Sequence, residues 1–128
     1  MSYYFSKNLT SDFGEAVGRI KAALGAAGFG IITEIDVKDT LQNKIGVAFR
    51  NYRILGACNP SLAHEALQIE DKVGTMLPCN VVVQEVVPGE IEVAAIDPVA
   101  SMQAIDNPEL KTAAEKVQAR LKQVIEGL

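Results

Sequence analysis

Apolar positions along this 128-residue chain recur with two different periods, and the switches between them mark out the elements. The key stretch lies within a charge-free run from Val73 to Gln84, and from Leu77 to Val87 five of the eleven residues are valine. Branching at Cβ suits a pleated strand and restricts a helix. Both alternating sets are apolar there: Cys79, Val81, Val83 and Val87 on one face, Val82 and Val86 on the other. A strand with one wet face would alternate cleanly, so this pattern predicts a central strand covered on both sides.

The other segments arrange themselves around it. A first strand is expected over residues 3–8, then a helix over 13–27 capped by Asp12, with Glu15 three residues on and Gly28 at its end. Its stripe of Phe13, Ala16, Val17, Ile20, Ala23, Leu24 and Ala27 has helical spacing. Gly14, Gly18 and Gly25 share another side, which signals either a closely approaching backbone or tolerated exposed glycines. Strands follow over 30–36 and 52–58, separated by a short helix from 36 or 37 to 44. Asn59-Pro60 then opens a helix to 69 that buries Leu62, Ala63, Ala66 and Leu67. Pro88-Gly89-Glu90 turns the valine strand into a partner over 91–96. A helical turn is expected within 99–105. Asn107-Pro108 starts a terminal helix whose narrow stripe runs from Leu110 through Val117 and Leu121 to Leu128. The sum is one α+β domain over 1–128: a largely antiparallel sheet, two long helices on one face, and β-α-β(4)-α order with short helical inserts.

Three segments together, Tyr52-Arg53-Ile54-Leu55-Gly56-Ala57-Cys58-Asn59-Pro60, Leu77-Pro78-Cys79-Asn80-Val81-Val82-Val83 and Ile96-Asp97-Pro98, resemble the domain-of-unknown-function 302 family. The likeness extends over nearly the whole chain. It implies a fold of the TATA-binding-protein-like type and small, dimeric bacterial or archaeal proteins, and it supplies no activity. A shared fold type is no warrant for DNA binding, because sites and not folds carry function.

Composition narrows the field. The formal net charge is −4, and the 12 basic residues are scattered, so no basic face is available to neutralise phosphates. Nucleic acid is therefore excluded as an expected partner. No apolar run approaches the roughly 20 residues that cross a bilayer, and the N-terminal residues lack the signal-peptide pattern. A cytoplasmic, membrane-free protein with reduced thiols is expected.

Candidate chemistry concentrates on the two cysteines. If the third and fourth strands are antiparallel neighbours, Cys58 at the end of one meets Cys79 at the start of the other. Each is followed by an asparagine, Asn59 and Asn80, and Cys58 precedes a helix N-terminus, whose partial positive charge favours thiolate. Such a pair serves as a redox couple, a soft-metal clamp or a nucleophile. The plainer reading is that both are small hydrophobic filler, since free cysteine is among the most buried residue types. No Cys-x-x-Cys pattern is present, and helix phase turns His64, the only histidine, away from the core. Two cysteines and an outward histidine do not make a zinc site, so no metal is expected and the cysteines are its only weak candidates. Arg53 is a candidate anion holder or ion-pair partner, and Asp97 before Pro98 a rim carboxylate or a cap. No nucleophile elbow, phosphate loop or cofactor motif occurs, so no cofactor is expected and catalysis is left open.

Two function classes remain. One is a homodimeric binding or interaction module of unknown ligand, with a small molecule as the candidate. Its motive is that Leu55, Ala57 and one valine set need cover on the sheet face away from the helices. The other is a thiol-dependent redox or soft-metal-handling protein using Cys58 and Cys79.

Overall fold

The valine segment does form the middle strand. In the computed structural model, which describes residues 2–128, the strands are β1 (Tyr4–Thr10), β2 (Gly30–Asp36), β3 (Tyr52–Cys58), β4 (Cys79–Val87) and β5 (Glu90–Ile96). They hydrogen-bond in the order β1-β5-β4-β3-β2, every pair antiparallel. The helices are α1 (Phe13–Ala26), α2 (Val37–Ile45), α3 (Pro60–Ile69), α4 (Pro98–Ser101) and α5 (Pro108–Glu126), with a 3-10 segment over Asp71–Met76 after α3. The order is thus β-α-β(4)-α with short helical inserts. Local chemistry sets the helix starts. Asp12 accepts from the Glu15 amide at 3.2 Å, Asn59 from Leu62 at 3.1 Å, and Asn107 from Glu109 at 3.0 Å. Each satisfies an amide that the first turn leaves without a partner.

The two long helices lie on one face. Ile20 and Leu24 of α1 and Leu121 and Ile125 of α5 pack on Leu55, Val81, Val83, Ile91 and Val93, all of them fully buried. A second, smaller cluster joins Ala66 of α3, Val73, Met102 and the start of α5 at Leu110 and Ala114.

Several expectations are corrected. Leu55 and Ala57 lie on the helix-covered face, because Arg53, Leu55 and Ala57 pair with Val83, Val81 and Cys79. The residues left facing away are Ile54, Val82 and Ala94. The valine strand is also not covered front and back by its own chain: Val82 is half-buried and Val86 is 57% exposed. A bulge between Glu85 and Val87 breaks the alternation, so Val87 does not share the buried face of Val83. In α3 only Ala66 is fully buried, and Leu67 is 43% exposed. Along α1, Gly18 and Gly25 have open space beside them, so no backbone approaches there. The first strand starts and ends later than expected, the turn at Pro98 is shorter, and the 3-10 segment that buries Val73 was not foreseen.

Candidate functional site

Antiparallel pairing brings the end of β3 to the start of β4, and with it the two cysteines. Cys79 pairs with Ala57, and Cys58 is the next residue along β3. Both line one cavity of about 330 Å³ at this end of the sheet, between α3 and α5. Phe29, Leu62, Leu77, Met102 and Leu110 make up much of its wall. No charged residue contributes to it; besides the two thiols, the one polar side chain is Asn59.

The room arises from small side chains. Ala63 and Ala66 of α3 face Ala113 and Ala114 of α5, with Ala57 in the sheet, and all five line the cavity. The unburied stripe of α3 has the same cause, since its inner face fronts this space.

The thiols differ. Cys79 is 7% exposed, and burial first, then the neighbouring Cys58, push its thiol up to about 11. Desolvation disfavours the charged form, so Cys79 is a neutral thiol at physiological pH. Cys58 is half-buried and free. Preceding Cys79, Pro78 lies over Gly56: a Cβ there would come within 2.7 Å of the proline ring and run into the Thr33 hydroxyl. Glycine is the residue that lets β2, β3 and the entry to β4 close at this corner.

The other candidates have structural partners. Asn59 lines the cavity, but its Oδ1 caps α3. Asn80 is exposed on the sheet face opposite to Cys79, paired with Gly56, and does not line the cavity. Arg53 donates to Glu34 at 2.7 Å, lies 3.5 Å from Asp36, and covers the Phe13 ring at 5.9 Å. Lys21 of α1 joins at 2.6 Å, and its hydrogen bond, with that from Arg53, holds the Glu34 carboxyl below its usual range. Arg53 therefore serves a strand-edge ion-pair network. Asp97 caps α4 through the Val99 and Ala100 amides and accepts from Gln118 of α5 at 3.0 Å. His64 is exposed and meets Gln68 at 3.2 Å. Among the described residues no three His, Cys, Asp or Glu side chains group as a metal site. No helix among them is long and apolar enough to cross a membrane.

The cavity therefore gathers Cys58, Asn59 and Cys79 and leaves out Asn80, Arg53 and Asp97. Sequence reasoning missed Phe29, Met102 and Ala113, because apolar residues at core spacing carry no sign that they border a space.

The opposite sheet face has its own pattern. Ile35, Ile54, Val82 and Ala94 stand side by side across β2, β3, β4 and β5. Next to them runs a polar row of Tyr52, Gln84, Glu92 and Asn8. In it Arg50 donates to Gln84 at 2.8 Å and Gln84 to Glu92 at 2.9 Å. Apart from Gly56, no strand residue on this face is fully buried.

Comparison with known proteins agrees with this architecture. No curated protein sequence matches the chain. A crystal structure described as an uncharacterized conserved protein DUF302 from Bacillus stearothermophilus is similar to it with a TM-score of 0.90 at 27% identity, covering 98% of each chain. A family model, "Domain of unknown function DUF302", matches residues 5–128. Since that match takes in nearly every residue, the chain belongs to the DUF302 family.

Proposed function

We propose that this protein is a cytoplasmic, homodimeric binding module, in which a second copy of the chain covers the sheet face away from α1 and α5. The observation that carries this reading is the apolar row Ile35–Ile54–Val82–Ala94, which crosses four strands without a charge. Such a row is self-complementary about a two-fold axis, because the same patch on each subunit meets its copy. The hydrogen-bonded Arg50–Gln84–Glu92 row beside it has the character of an interface rim around an apolar centre. A contiguous apolar row left half-buried or exposed within one chain is the kind of surface that a second subunit covers.

Light scattering on the eluting protein tests the pairing. The expected mass is about twice the 13.7 kDa of the chain. Val82→Lys, placing a charge in the middle of the row, should bring it down to that of one chain with the fold intact. A wild-type monomer at micromolar concentration would remove the proposal.

A thiol-dependent redox or soft-metal role is the second reading, supported by the presence of both cysteines among the residues that line one cavity. The raised Cys79 pKa weighs against a thiolate pair at neutral pH and leaves Cys58 as the accessible group.

A further inference from the structure

We propose that the cavity at the cysteine end of the sheet is a binding site for one small, uncharged, predominantly apolar molecule, about the size of a bicyclic aromatic or an eight- to ten-carbon chain. This goes beyond the pairing of subunits, which involves the other face of the sheet.

Size is the first argument. The cavity measures about 330 Å³, within the range of small-molecule pockets. An engineered cavity of roughly 150 Å³ accepts benzene, so this site has room for about twice that volume. Its apolar lining faces solvent unless a ligand covers it, so an apolar ligand that displaces water from it binds favourably.

Wall chemistry sets the class of ligand. The lining carries no charge, so a carboxylate or ammonium ion entering it would lose its hydration with no ionic partner. The polar groups are the two thiols, one of them held neutral, and the Asn59 amide, whose oxygen is already engaged by the Leu62 N–H. A ligand with at most one or two polar atoms fits that inventory.

Access is the third argument. Ile32 is 62% exposed and Leu67 is 43% exposed, and both border the cavity, so an apolar lip leads from solvent to the interior. Of the large hydrophobic residues that line the cavity, these two are the exposed ones.

The experiment uses the full chain and N-phenyl-1-naphthylamine, an uncharged fluorophore that brightens in apolar surroundings. Wild-type protein should bind about one probe per chain, 1-octanol should displace it, and octanoate should be at least tenfold weaker as a competitor. Ala113→Leu and, on the facing wall, Ala63→Leu fill the space and should each reduce probe affinity at least tenfold, with unchanged circular dichroism and an equal or higher melting temperature. Val82→Lys, on the far sheet face, should bind as wild type does whether or not it dimerises, which separates this site from the subunit contact. Absence of probe binding, equal competition by octanoate, or retained affinity in both folded filled-cavity variants would each overturn the proposal. Loss of binding in Val82→Lys would overturn it as well, by moving the probe to the sheet face.

Discussion

Cys79 faces Ala57 across the β3–β4 ladder, and the residue after Ala57 is Cys58, so strand register brings both cysteines to the same end of the sheet, where both residues line one cavity. Their environments then separate them. One thiol is sealed and neutral; the other stands half-buried.

Native thiol reactivity should therefore count one and not two. With a disulfide reagent at pH 8, Cys58 should react and Cys79 should wait for denaturant. Cys58→Ser should abolish the native reaction. Two rapidly reacting thiols in the folded wild type would contradict the burial of Cys79.

Alkaline pH should destabilise the fold through Cys79. Its folded pKa of about 11 lies above the ordinary 9.0, so the unfolded chain releases this proton first. The stabilisation is fully present below pH 9 and is lost as pH rises from 9 towards 11, with a slope of up to about 1.4 kcal/mol per pH unit. Denaturant midpoints for wild type and Cys79→Ala across this range should converge as pH rises. Parallel curves would show that Cys79 does not titrate differently in the two states.

Gly56→Ala should be costly although it adds only a methyl group. The Thr33 side chain can rotate away, but the Pro78 ring, 2.7 Å from the new Cβ, cannot. A loss of about 2–3 kcal/mol is expected, in the range of overpacked sites. Thr33→Ala in the same chain should recover only part of it. A neutral Gly56→Ala variant, read by chemical denaturation, would mean that the strand corner yields.

Glu34 links α1 to β3 through Lys21 and Arg53, and its stabilisation should vanish in acid. Its folded pKa is lowered, so the contribution is present above the ordinary 4.5 and fades as pH falls through the folded value. Glu34→Gln should cost about 1 kcal/mol at neutral pH and low salt, in keeping with a partly exposed network. Once the pH is well below the folded value, the variant and wild type should be equally stable. A gap that persists in acid would point to packing and not charge.

Element placement was legible because it rests on short-range chemistry. Asn59-Pro60 and Asn107-Pro108 open helices as expected, since a side-chain oxygen satisfies amides two or three residues away. The valines of β4 take the centre of the sheet, since two apolar sides exclude an edge. The bulge at Val86 was invisible, because inserting one residue depends on how β5 pairs and not on valine itself. Leu55 and Ala57 were placed on the wrong face for a related reason: alternation tells which residues share a side, and only packing tells which side receives the helices. For Arg53 an ion pair and for Asp97 a cap were legible beside the ligand readings, but the partners Glu34, Asp36 and Gln118 come from distant elements and were not.

By itself, then, the sequence determined the periods, the caps, the central strand and the proximity of two cysteines, all consequences of spacing along one segment or of neighbouring strands. Tertiary structure decided the cavity. Ala63 and Ala66 on one helix and Ala113 and Ala114 on another are ordinary core residues when read singly. They enclose a space only because the two helices meet across them at a separation that neither segment encodes alone.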